Sequence, residues 1–405
     1  MNKKKKLSLA AQIFIGLFLG ILAGLGFLAA GKAAWAVAYV KPFGTIFLNL
    51  IKFIVVPIVL CSIIGGVISM KDIRKVGSIG WKTVAFYLVT TAFAVIIGLI
   101  FANIFKGTFQ VLQTTDLEYE VSQTANFMDT LVNIFPSNII QPLSSATMLQ
   151  VIVIALFFGF GIILAGEKGE PLATVVVSLS DVSMVIMDLI LKLSPIGVFC
   201  LITPVVAENG AKILGSLAMV LLTAYICYAI HAIVVYSLSV KTMAGLSPVK
   251  FFKGMAPAMV MAFSSASSVG TLPLNIECSE KLGAKKDIAS FVLPLGATIN
   301  MDGTAIYQGV CAVFIATCFG IDLTLAEMVT IVLTATLASI GTAGVPGSGM
   351  IMLAMVLQSV GLPVEGIALV AGVDRIFDMG RTVVNITGDA ACSIVVSALE
   401  SKKKN

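Results

Sequence analysis

The sequence predicts an all-α polytopic membrane protein with eight transmembrane helices and two oppositely oriented re-entrant helical hairpins. Three observations predict it. First, 58% of the 405 residues are hydrophobic and 12% are charged, and the mean hydropathy is +1.05; soluble domains carry about 25% charged residues. Second, apolar runs long enough to span about 30 Å of hydrocarbon recur along the chain. Third, two later apolar stretches are broken near their middles by Gly, Ser, Thr and Pro.

The spanning runs are Leu7 to Ala30, Phe43 to Met70, Val84 to Phe105, Met148 to Ala165, Val175 to Leu201 and Ile213 to Val240. The first has a basic start like a signal peptide, but its apolar stretch exceeds a signal core and is assigned as a spanning helix. Lys3–Lys6 and Lys402–Lys404 place both termini in the cytoplasm, as do Lys71, Arg74, Lys75 and Lys82 for the second connection. The acidic connection with Asp116, Glu118 and Glu120 falls outside, and Lys281, Lys285 and Lys286 return the chain inside. Both ends on one side require an even number of full crossings, counted here as eight.

The net charge of +5 lies largely at the two ends and gives no reason to expect a nucleic-acid partner. The seven cysteines are Cys61, Cys200, Cys227, Cys278, Cys311, Cys318 and Cys392. They lie apart in apolar segments, without a CxxC pair, and suit packing better than disulfides or zinc. The single histidine, His231, sits in the sixth run; a core or interface role is expected over a proton relay. A hydrolase would have to depend on that one residue, so enzymatic function is not expected.

Between Lys253 and Glu277 the break is SSASSVG, Ser264 to Gly270, with lysines on both flanks. Each arm has about ten apolar residues, too short to cross, so the segment enters from the cytoplasm and returns. A second segment, Met328 to Leu362, breaks at SIGTAGVPGSG, Ser339 to Gly349, between Glu327 and Glu365, and approaches from outside. Non-helical backbone at membrane depth belongs in protein or beside a wet cavity. Two such segments of opposite orientation suggest inverted repeats whose half-helix ends meet near the midplane, where substrate and ions bind. Free N–H groups at Ser267–Ser268 favour a carboxylate. Carbonyls of the Gly-rich break suit a hard cation. The alternative is a pair of kinked spanning helices with packing glycines.

The last apolar stretch carries Asp374, Asp378, Arg381, Asn385 and Asp389. Their spacings of four, three, four and four confine them to a stripe about 80° wide and about 22 Å long on one helix. Charges at that depth usually face a polar cavity and carry function; structural ion pairing is the alternative. Asp389 lies eight residues past Arg381 and needs another partner. Between the hairpins, ATINMDGTAIYQG (Ala297 to Gly309) holds Asp302 among Thr298, Asn300 and Thr304. A buried carboxylate takes a proton unless a cation accompanies it, and oxygen-only surroundings argue for Na⁺ or H⁺ over a transition metal.

These residues resemble a known family. SSASSVGTLP (Ser264–Pro273), NMDGT (Asn300–Thr304), GTAGVPGSG (Gly341–Gly349) and DMGRTVVNITGD (Asp378–Asp389) look like the signature motifs of the dicarboxylate/amino acid:cation symporters, the glutamate-transporter homologues, in family order. The resemblance implies a homotrimeric elevator. Residues 1–82 would carry scaffold helices one and two, and 83–106 helix three of a mobile transport domain. Residues 107–204 would hold an extracellular loop and scaffold helices four and five; 205–405 would complete the transport domain with helix six, hairpin one, helix seven, hairpin two and helix eight.

Carried over by motif, Arg381 would clamp the substrate's side-chain carboxylate, a role suited to its bidentate fork. Asp378 would take the α-ammonium, and Asn385, Ser267 and Ser268 the α-carboxylate. Thr304, Thr382, Val345 and Gly349 would complete the pocket. A first sodium set would be Gly296, Asn300, Asn385 and Asp389. A second would be Thr298, Ser339, Ile340 and Thr342, and a third Tyr87, Thr90, Thr91, Asn300 and Asp302. Sodium ions enter as coupling ions; no cofactor is implied.

The sequence also departs from the family. Ala266 stands where some relatives carry an arginine, and Arg375 is a candidate to supply that charge, or else an ion pair with Asp374 or Asp378. Gln308 aligns with a glutamate tied to proton and potassium coupling in vertebrate carriers, which argues against potassium countertransport. Lys52 is given no role. The reading is therefore sodium-coupled uptake of L-aspartate and/or L-glutamate across a cell inner membrane. The alternatives are proton-coupled uptake of the same substrates, a neutral-amino-acid carrier, or an anion-conducting channel. One methylene is worth about 1–3 kcal/mol, so aspartate is not separated from glutamate.

Overall fold

In a computed structural model the chain is described over residues 9–69, 78–109, 111, 132, 135–145, 147–210, 212–339, 348–371 and 373–402. Every regular element among the described residues is helical. The N-terminal part comprises α1 (Leu9–Ala29), the short α2 (Ala33–Tyr39), α3 (Lys41–Ser69) and α4 (Ser78–Phe105). Then come α5 (Ile140–Ser145), α6 (Met148–Ala165), α7 (Glu170–Leu191) and α8 (Ser194–Asn209). The expected run from Val175 to Leu201 is thus two helices. Pro195 opens α8 and, lacking an N–H, cannot continue α7. The expected domain boundaries after 82 and after 204 fall inside α4 and α8; α8 ends instead at Gly210, with φ +68°.

The sixth run is α9 (Lys212–Ile230), a π-helical turn His231–Tyr236, and α10 (Ser237–Ala244). Next come α11 (Pro248–Ser265) and α12 (Ser268–Lys281), which pack against each other as a hairpin. Their arms of 18 and 14 residues are longer than the ten or so expected. At 1.5 Å per residue the shorter rises about 21 Å, less than a bilayer core. The turn passes through Ala266 at φ +51°, the one non-glycine residue with positive φ among those described.

The chain continues through α13 (Lys286–Ile299), α14 (Asp302–Cys318), α15 (Leu325–Ala338), α16 (Ser348–Ser359), α17 (Ile367–Ala371) and α18 (Asp374–Lys402). Asn300 and Met301 separate α13 from α14, with Asn300 extended at φ −93°, ψ +99°. The break of the second hairpin, 340–347, lies outside the described residues, as do Lys3–Lys6, Lys71, Arg74, Lys75, Asp116, Glu118 and Glu120.

Among the described residues, five helical stretches are long and apolar enough to cross a membrane: Ala11–Ala29, Ser78–Thr108, Ile213–Ala244, Lys286–Cys318 and Asp374–Ser401. The expected count of eight therefore stays an expectation. The packing explains which of them are polar. The most apolar 18-residue window of Lys286–Cys318 is wholly buried, whereas only 17% of the window of Ala11–Ala29 is. Helices α1 and α8 pack together, and α3 packs on α6, α7 and α8. Helices α4, α10, α11, α12, α13 and α14 surround or adjoin α18. The polar stripe of α18 is thus enclosed by protein, which is the condition for carrying charge at that depth.

Candidate functional site

Arg381 projects from α18 with 2% of its surface exposed. Its Nε donates to Asp378 Oδ1 at 2.8 Å, and its Nη2 forms an ion pair with the same oxygen. Its Nη1 lies 3.3 Å from Asp374 Oδ1. The guanidinium carbon sits 4.8 Å from the centre of the Tyr307 ring, a cation–π arrangement. Residues three and seven positions back on a helix share a face with Arg381, so the 3.6-residue period itself builds this cluster. Gly349 approaches from α16 so closely that a Cβ there would overlap the guanidinium. Thr382 returns its hydroxyl to Asp378 O at 2.7 Å.

Hairpin one brings Ser267 to the start of α12, where its Oγ accepts from Gly270 N at 3.0 Å. Ser268 beside it is buried. Arg375 Nη2 donates to the Ser265 carbonyl at 3.2 Å, and its Nη1 lies 4.0 Å from Asp378 Oδ2. Arg375 touches the hairpin turn beside Ala266 and sits at the outer limit of an ion pair.

The broken helix supplies the second cluster. Asn300 Nδ2 donates to Asp389 Oδ1 at 2.9 Å and lies 3.1 Å from Asn385 O. This gives Asp389 the partner its spacing required. Asn385 Oδ1 accepts from Gly303 N at 2.8 Å, and its Nδ2 lies 3.2 Å from Met301 Sδ. Thr304, also buried, has its Oγ1 3.9 Å from that sulfur. A Cβ at Gly296 would strike Asp389 Oδ1 and, at 2.5 Å, Tyr87 Oη. The first expected set, Gly296, Asn300, Asn385 and Asp389, is therefore contiguous. It includes a buried atom with no hydrogen-bond partner, Asn300 Oδ1. An unpartnered amide oxygen beside a carboxylate is a donor set for a hard cation.

Asp302, fully buried, accepts from Thr91 Oγ1 at 2.6 Å through Oδ1. Thr90 turns its hydroxyl back to Tyr87 O at 3.2 Å, and Tyr87 Oη donates to Val292 O at 3.1 Å. Thr91 thus reaches Asp302, while Thr90 and Tyr87 stand close by with their hydroxyls engaged elsewhere. Thr298 and Ser339, of the second set, hydrogen-bond within their own helices, to Leu295 O at 2.9 Å and Thr336 O at 2.7 Å. The other members, Ile340 and Thr342, and the substrate residue Val345 lie outside the described residues. Nothing described joins this set.

Sequence reasoning missed His231 and Tyr236, which both contact Asp302 Oδ2, at 3.1 and 2.7 Å. His231 is a core residue, as expected, but it faces the site. Only its being the sole histidine in an apolar run pointed that way. Met301 and Asp374 were also absent from the expected binding set, although Asp374 lay on the stripe. Among the described residues no cluster of three His, Cys, Asp or Glu side chains offers a transition-metal site.

The geometry holds one buried cation among carboxylates, next to oxygen-lined polar clusters inside apolar helices. Comparison with known proteins agrees with that picture. The model of the sodium:dicarboxylate symporter family matches residues 9–399. The chain is 39% identical to a proton/sodium-glutamate symport protein of Bacillus subtilis (strain 168), covering 98% of this chain and 94% of that one. It is 37% identical to a proton/glutamate-aspartate symporter of Escherichia coli (strain K12), covering 99% and 94%. At 31% identity it matches a C4-dicarboxylate transport protein of Bacillus subtilis, covering 98% and 94%.

Proposed function

The chain belongs to the sodium:dicarboxylate symporter family, and from that premise we propose that it takes up L-aspartate and/or L-glutamate together with sodium ions. It is a transporter of dicarboxylates or acidic amino acids, not an enzyme. The observation that carries the finer reading is the pairing of Arg381 with Asp374 and Asp378 beside the Asn300–Asp389 cluster. A planar guanidinium matches a carboxylate bidentately. Asp378 beside it suits an ammonium group, which favours an amino acid over a plain dicarboxylate.

Coupling follows from charge. Asp302 and Asp389 are buried with hydroxyl, amide and imidazole donors. Carrying them across hydrocarbon requires counter-cations, and sodium supplies these at oxygen-lined sites. Substrate alone or sodium alone leaves charge uncompensated. The two packing groups support a scaffold of α1–α3 and α5–α8 and a transport domain of α4 and α9–α18, with alternating access by elevator movement. A homotrimer in a cell inner membrane, with both termini cytoplasmic, completes the reading.

Proton coupling is the second reading, favoured by a relative named as a proton/glutamate-aspartate symporter. The test is uptake of radiolabelled L-aspartate into proteoliposomes under an inward Na⁺ gradient or an inward H⁺ gradient at matched ionic strength. Accumulation under Na⁺ alone is expected. Accumulation under H⁺ only would replace sodium by protons at Asp302 or Asp389. Accumulation of succinate in preference to both amino acids would overturn the substrate.

A further inference from the structure

Asp302 Oδ2 is held by two side chains five residues apart on one helix, His231 and Tyr236. On a regular α-helix, positions i and i+5 point about 140° apart and cannot grip one atom. Here the segment from His231 to Tyr236 is a π-helical turn. Its i→i+5 closure stacks the two positions on one face. The rings meet edge to face, with centroids 4.9 Å apart and planes at 85°. Both residues are fully buried. π-turns are rare inside α-helices and frequent at functional sites, so this one calls for a reason beyond packing.

The donors are also sorted between the two carboxylate oxygens. Thr91 serves Oδ1, while His231 and Tyr236 serve Oδ2. With Asp302 ionised its oxygens only accept, and His231 Nε2 then carries the hydrogen and donates; His231 Nδ1 has no partner. Tyr236 also lies 3.1 Å from Val384 O, on α18. A Cβ at Gly388 would meet Tyr236 Oη and Asn300 Nδ2, both at 2.6 Å, so the same hydroxyl borders the Asn300–Asp389 cluster.

We propose that the π-turn pair His231 and Tyr236 are positioning residues that fix the rotation of the Asp302 carboxylate, and so set how tightly the coupling ion is held. The proposal rests on reading Asp302 as a coupling-ion ligand. Locking one oxygen with two donors leaves the carboxylate no freedom to swing about its Cβ–Cγ bond. A ligand oxygen fixed before the ion arrives loses less entropy on binding it. Removing a donor frees that rotation and weakens ion binding without touching the substrate clamp at Arg381.

The test is the Na⁺ concentration giving half-maximal L-aspartate uptake in proteoliposomes, with aspartate affinity measured in parallel at saturating Na⁺. The variants are Tyr236→Phe, His231→Leu and His231→Gln. Thr223→Val serves as control, because Thr223 bonds only back to Met219 O on α9. Tyr236→Phe and His231→Leu should each raise the half-maximal Na⁺ about tenfold, the scale of one hydrogen bond to a charged group. Aspartate affinity at saturating Na⁺ should stay within about twofold, and His231→Gln, which keeps an N–H, should fall between His231→Leu and the parent. Superimposable Na⁺ curves for parent and variants would overturn the proposal, as would equal loss of aspartate affinity in all three site variants. Tyr236→Phe keeps the ring and so remains informative if His231→Leu does not fold. If the parent itself ignores Na⁺, the proposed coupling ion is wrong. The same variants are then compared under the H⁺ gradient, where a tenfold shift supports the positioning role and none overturns it.

Discussion

Arg381 is occupied before any substrate arrives: Asp378 holds its Nε and Asp374 its Nη1. Removing it would take the cation from the buried Asp374 and leave Asp378 only the 4.0 Å contact with Arg375, and breaking such a buried pair costs about 3–5 kcal/mol. Arg381→Ala should therefore abolish uptake of acidic amino acids and admit neutral ones, while Arg381→Lys keeps the charge but loses the bidentate fork and should weaken L-aspartate binding by about 10²-fold. Isothermal titration on detergent-purified protein measures both; unchanged aspartate affinity in either variant would remove the clamp. This cluster was legible because helical period alone places residues at three- and four-residue spacings on one face. The His231–Asp302 contact was not. Spacing of five reads as opposite faces on an α-helix, and nothing in His231–Tyr236 announces a π-turn. Asn300 as the partner of Asp389 was legible only through the family motif, because an extended break has no period to follow.

At the scale of elements, breaks position the chemistry. The interruption at Asn300–Met301 puts an amide side chain where a continuous helix would point it elsewhere, and it starts α14 with Asp302 in its first turn. Glycine then lets α13 approach α18: a Cβ on Gly296 would overlap Asp389 Oδ1 and Tyr87 Oη. Gly296→Ala should raise the half-maximal Na⁺ at least tenfold or abolish uptake, because the overlap must displace a carboxylate or helix α13. Gly215→Ala is the control. It lies on α9 with nothing within 4 Å of its Cβ, and should stabilise by about 0.5–1 kcal/mol. Uptake curves and thermal unfolding read the two effects, and a Gly296→Ala protein with parental Na⁺ dependence would dissolve the first cation set. The Ser-rich cluster marked the turn between α11 and α12 in sequence, but not the arm lengths, because amphipathic arms packed on protein need not be apolar throughout. Hydropathy likewise fused α7 to α8, since a window average passes over one lysine and a proline.

For the whole molecule, the proposed division into a scaffold and a transport domain makes a mechanical prediction. All seven cysteines are buried, so a single introduced surface cysteine can be labelled selectively. Lys168 is exposed between α6 and α7, in the proposed scaffold, and Lys281 is exposed at the end of α12, in the proposed transport domain. In a trimer, fluorescent labels on Lys168→Cys in neighbouring protomers should keep one separation whether or not Na⁺ and L-aspartate are present. Labels on Lys281→Cys should move between at least two separations, with populations shifted by the ligands, because a ligand biases whichever state binds it better. The protein mass must first be that of several copies. Three chains of 42.4 kDa are 3 × 42.4 = 127.2 kDa, and a mass of one copy would end the trimeric reading. Equal, ligand-independent distances at both positions would end the elevator while leaving Arg381 and the ion clusters in place. Movement at Lys168 as large as at Lys281 would mean that the two groups do not move as separate bodies, and that α3 and α8 travel with α18.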